Sequence, residues 1–165
     1  VTSSPVAEAD RLAKMYLQAA PRRSMREQSA RQAMVRAMER EFQREGVRDR
    51  MTKVQASNYT RPGDPLAIDF GYKFNSTRKM FHATPLAHGG NAAKVLAFSY
   101  PELAAGIQRE EHAKAYLTAI VEDGLEKNEE IGFARETLES SGIRIATMSQ
   151  MPDLAQTAAR ELGIA

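Results

Sequence analysis

Apolar positions recur every four residues at Met34, Met38 and Phe42, with Val35 beside them. That spacing predicts one buried face of a helix. Ser24-Met25-Arg26-Glu27 reads as a capping box that opens this helix, and Gly46 stops it. Upstream, Leu12, Met15, Tyr16 and Ala19 share one side of a shorter helix over 6–19, which Pro21 ends. Residues 47–53 read as a turn and 54–59 as a weakly patterned first strand. Arg61-Pro62-Gly63-Asp64-Pro65 is a turn, with proline and glycine fixing the backbone. Residues 66–74 and 79–86 form two strands joined by a hairpin turn at Asn75-Ser76-Thr77. A His88-Gly89-Gly90-Asn91 loop then leads into a helix from Ala92, with a break or kink expected at Pro101, where Ser99 and Glu102 form a second capping box. Residues 115–121 make an apolar central strand. Residues 125–140 make an amphipathic helix with Ile131, Ala134 and Leu138 inward and Gly142 as its stop. A last strand over 143–148 precedes a final helix that Pro152 opens and that runs to Leu162.

This order implies an α/β fold: a mixed sheet with a three-strand antiparallel meander followed by βαβ-type elements, flanked by helices. An N-terminal helical extension over 1–23 precedes the α/β domain over 24–165. No internal repeat interrupts the pattern. A chain of 165 residues buries about 68–70% of its unfolded surface, enough for a real core. The absence of tryptophan and the presence of 8 methionines point to a core partly filled by adaptable side chains.

Cysteine is absent, which excludes disulfides and thiolate metal sites and suits a reducing, cytoplasmic setting. No apolar run approaches the roughly 20 residues of a membrane span, so no membrane partner is expected. The first residues, VTSSPVAEAD, lack the basic-then-apolar order of a signal peptide and lack a start methionine. The chain therefore reads as a cut-out domain or a processed chain, with another protein or a missing N-terminal domain among its expected partners.

Net charge is only +2, but it is unevenly spread. Residues 22–50 hold nine arginines against five acids. Arg36, Arg40, Arg44 and Arg48 make a stripe apart from the Met34–Met38–Phe42 face, with Arg22 and Arg26 near its backward continuation. A basic segment on a nearly neutral body predicts contact with DNA, RNA or an acidic protein surface.

The stretch LAIDFGYKFNSTRKMFHATPL, over 66–86, carries an aspartate, Asp69, in the first of two adjacent strands. With the element order, it resembles the restriction-endonuclease-like superfamily, whose core is a helix, an antiparallel three-strand meander, a helix and a further strand. The resemblance covers roughly 24–121. It implies an aspartate from the second strand, then an acid, a spacer and a lysine from the third, together holding Mg²⁺ and activating water. Asp69 matches the first position. His82 and Thr84 stand where the acid and lysine belong. Histidine is a poor Mg²⁺ ligand, and threonine brings no charge. The resemblance thus implies a degenerate member without catalytic residues or cofactor. If activity survives, Asp69 as metal ligand, Asp64 and a relocated lysine, Lys79 or Lys73, would carry it. The segment is also similar to C-terminal regions of uncharacterised bacterial and prophage proteins, which implies no activity.

Each feature has a plainer alternative. Alternation puts Asp69 on the opposite strand face from Ile68 and Phe70, where it either contacts a ligand or pairs with Arg78 or Lys79. His82 is a general base or a hydrogen-bonded structural histidine, with no second ligand at metal spacing. The arginine stripe grips phosphates or is a solvated face paired with Glu41 and Glu45. Tyr59, Phe70, Tyr72, Phe74 and Phe81 stack bases or, as aromatics in strands usually do, fill the core. Glu122, Asp123, Glu126, Glu129 and Glu130 follow a strand without calcium-loop spacing and suit the start of a helix. Three functions remain open: a nucleic-acid-binding module, a metal-dependent nuclease, and a protein-interaction domain.

Overall fold

A computed structural model describes the backbone of residues 5–164 and the side chains of residues 25–164. Helix α1 spans Pro5–Arg44, and strands β1 (Thr52–Gln55), β2 (Ala67–Phe74) and β3 (Thr77–Ala83) follow. Then come α2 (Asn91–Glu111), β4 (Lys114–Val121), α3 (Glu129–Ser140), β5 (Arg144–Thr147) and α4 (Met151–Glu161). The sheet order is β1-β2-β3-β4-β5. The first three strands form an antiparallel meander, while β3, β4 and β5 run parallel. Parallel neighbours require a crossover, which α2 and α3 supply. This is the expected mixed sheet. Among the described residues no helix is long and apolar enough to cross a membrane.

Two cores form because helices pack on each sheet face. On one face, Leu96, Leu103 and Ile107 of α2 and Leu138 of α3 pack on Val54, Ile68, Met80 and Leu117. On the other, Met34, Met38 and Phe42 of α1 and Ala155, Ala158 and Ala159 of α4 pack on Phe70, Tyr72, Phe81 and Ile120. Phe42 meets the Phe70 ring at 5.0 Å between centroids, in the edge-on geometry that aromatic quadrupoles favour.

Three local expectations are corrected. α1 runs unbroken through Pro21 and Ser24, so the capping box at Ser24–Glu27 opens no helix. The inward face expected at Leu12, Met15, Tyr16 and Ala19, like Arg22, lies outside the described side chains. α2 likewise does not break at Pro101, because its packed face outweighs the single missing backbone donor. Finally, Ile68 and Phe70 lie in opposite cores rather than on one face. The β1–β2 register passes from Thr52↔Gly71 to Val54↔Ile68, so Asp69 and Phe70 together oppose Lys53. That extra residue is a β-bulge, and it re-aims the side chains on either side of it.

Candidate functional site

The bulge positions Asp69. The paired register of β2 with β3 runs from Phe74↔Thr77 to Phe70↔Phe81. Beyond it the Asp69 carboxylate replaces the backbone as partner: the Ala83 amide donates to Oδ2 at 2.9 Å. The Arg31 guanidinium, reaching across from α1, donates to Oδ1 at 2.7 Å. His82 Nδ1 lies 3.1 Å from Oδ2 but is poorly aligned for a directed hydrogen bond. The Asp69 side chain is only 6% exposed. Burial pushes its pKa up, but the contact with His82, the Arg31 charge and the Ala83 amide outweigh burial and hold it below the usual carboxylate range.

This cluster sits where β3 ends beside its parallel neighbour β4, the edge at which open α/β sheets commonly present ligands. Glu122, just past β4, accepts the Leu86 amide at 2.7 Å and the Ala87 amide at 2.8 Å. It therefore fixes the loop after β3 rather than serving the start of α3. Glu27 of α1 is half-buried. Burial pushes its carboxyl up, the charge of His88 opposes this, and that of Glu122 adds to it. The sequence pattern does not mark Arg31 and Glu27 as site residues. Their four-residue spacing on α1 was the available signal, because it puts both side chains on one helix side.

The other expected site residues lie elsewhere. Asp64 is held in its turn by the Thr60 hydroxyl at 2.6 Å and the Leu66 amide at 3.1 Å. Lys79 pairs with Glu161 of α4, and Lys73 pairs with Glu111 at 3.2 Å. Glu111 also receives Arg78 and the Tyr59 hydroxyl, which ties α2 to β3 and to the loop after β1. Thus Asp69, Asp64, Lys73 and Lys79 each have separate partners and do not converge. Thr84 is buried, and its hydroxyl donates to the His82 carbonyl.

Mg²⁺ needs several oxygen ligands in octahedral array. Here one carboxylate is covered by a guanidinium and faced by an imidazole, so the donor set does not fit that ion. Among the described residues no group of three or more His, Asp or Glu side chains is placed to hold a metal.

On the outer side of α1, Arg36, Arg40 and Arg44 are exposed. Arg44 pairs with Glu41 at 3.2 Å, while Arg36 and Arg40 have no ion pair among the described residues. Arg48 departs from the stripe. It pairs with Glu39 at 2.8 Å and lies over the Phe70 ring at 5.5 Å. Among the aromatics, Phe70, Tyr72 and Phe81 are core, whereas Tyr59 and Phe74 are partly buried.

No protein-family model, curated protein or solved structure matches the chain.

Proposed function

We propose that this chain is a non-catalytic binding module on a degenerate nuclease-like scaffold, and that it contacts nucleic acid through the outer face of α1. The exposed Arg36–Arg40–Arg44 row carries this reading, set opposite the buried Met34, Met38 and Phe42. Four-residue steps on a helix set the three guanidinium groups about 6 Å apart along the axis, a ladder of charge suited to a phosphate backbone. The nuclease-like part of the reading rests on the order helix, antiparallel meander, helix, parallel strand, with an aspartate on the second strand. The non-catalytic part rests on Asp69, whose carboxylate is already held by Arg31 and the Ala83 amide, with His82 beside it. A cytoplasmic setting accords with a chain without cysteine.

The test is salt-dependent binding to duplex DNA and to single-stranded RNA, read by fluorescence anisotropy. Each phosphate contact on duplex DNA adds a slope of about −0.9 in log K against log salt. The triple variant R36E/R40E/R44E is expected to lose binding and flatten that slope, while its thermal unfolding stays unchanged. No salt-sensitive binding by the wild-type protein would overturn the proposal and leave a protein-facing surface. Cleavage with Mg²⁺ or Mn²⁺ that Asp69→Asn abolishes would overturn the non-catalytic part.

A further inference from the structure

The α1/α4 face of the sheet is left open beyond α4. There Tyr72 and Phe74 of β2, Lys79 of β3, Tyr116 of β4 and Arg144 of β5 line a groove of about 550 Å³ that Leu154 and Thr157 of α4 wall on one side. Small-molecule clefts run from about 300 to 1,000 Å³. The groove lies near the start of β3 and β4, whereas Asp69 lies beside the end of β3, so the two are distinct.

Its chemistry is that of a ring-plus-anion site. Lys114 Nζ stands 5.2 Å from the centre of the Tyr116 ring, and the Arg144 guanidinium 5.9 Å from it. Neither cation has a carboxylate partner among the described residues. Glu161, the acid that reaches this floor, is already held by the Tyr72 hydroxyl at 2.7 Å and by Lys79. The local balance is therefore positive, beside half-buried aromatic surface and the Thr118 hydroxyl. A phosphate satisfies the two cations, and a planar ring covers the aromatic floor.

We propose that this groove binds a nucleotide, free or as part of a single strand, with its phosphate on Arg144 and on Lys114 beside Tyr116, and its base on the half-buried Tyr116 and Phe74 rings. The site stands independently of the arginine row on α1.

Calorimetric titration of the full chain with AMP, adenosine, inorganic phosphate and a thymidine tetranucleotide tests it. Saturable AMP binding is expected, with adenosine and phosphate each at least tenfold weaker. Arg144→Glu, at an exposed edge position, is expected to weaken AMP at least tenfold, and so is Tyr116→Leu. Lys127→Glu, away from the groove, and R36E/R40E/R44E are expected to leave AMP affinity unchanged. A tetranucleotide at least tenfold tighter than AMP identifies a single strand as the source; otherwise the source is the free nucleotide. The proposal is overturned if neither AMP nor the tetranucleotide binds saturably, if phosphate alone matches AMP, or if Arg144→Glu changes nothing.

Discussion

Replacing Asp69 with asparagine separates a carboxylate that holds the fold together from one held ready for chemistry. Removing one partner of a buried ion pair costs about 3–5 kcal/mol. Two features lower that figure here. Arg31 is 34% exposed and recovers solvation once released. Asparagine also keeps an acceptor for the Ala83 amide. The expected loss is about 2–3 kcal/mol at pH 7, close to that of hydrogen bonds to a charged group. For a chain of this length it lowers Tm by about 5–10 °C. The pH dependence follows from the depressed pKa of Asp69. A depressed carboxylate contributes stability above its unfolded value, about 3.9, and loses it as pH falls through the folded value. Urea unfolding of wild type and Asp69→Asn should therefore differ fully at pH 7, begin to converge below about pH 4, and meet only below the depressed pKa of Asp69. An active-site carboxylate behaves in the opposite sense, because its removal relieves stored strain and leaves stability equal or higher. Equal or raised stability of Asp69→Asn at pH 7 would refute the structural role argued for Asp69.

Two further outcomes test the packing. At Gly106 an added Cβ would lie 2.2 Å from the Tyr59 carbonyl oxygen and 2.8 Å from the Tyr59 Cβ. Gly106→Ala must push that loop off α2, and a loss at or above the usual 1–3 kcal/mol of overpacking, roughly, is expected in thermal unfolding. Phe42 is fully buried against Phe70 and Phe81. Phe42→Ala should cost about 3–5 kcal/mol by urea titration, and a loss under about 1 kcal/mol would mean that α1 is not docked as described.

Much of the architecture was legible because periodicity and burial agree. The Met34–Met38–Phe42 repeat, the hairpin at Asn75 and the apolar run in β4 each report a local rule that the tertiary fold also obeys. The helix ends were less legible, since Pro21 and Pro101 are local stop signals that neighbouring residues override. Alternation misassigns the strand faces around Asp69 because it assumes a regular ladder, and a bulge has no compositional mark in Ile68-Asp69-Phe70. The site was half legible: Asp69 and His82 stood out as unusual types within strands. Arg31 did not, because one arginine among nine in a basic segment carries no sign that it turns inward. Arg48 falls in the stripe by spacing alone, yet α1 ends at Arg44, so helical phase no longer applies to it.

The sheet is shortest at its margins. β1 and β5 have four residues each, against eight, seven and eight in β2, β3 and β4. β1 exposes Thr52, Lys53 and Gln55 and is pinched by the bulge opposite Lys53, and β5 begins with exposed Arg144. Short, charged and irregular edges offer few free backbone groups in register to another chain. Edge-to-edge pairing with a second copy is thereby disfavoured. A protein partner finds little purchase for lengthening the sheet and must engage helix surfaces or the open sheet face instead.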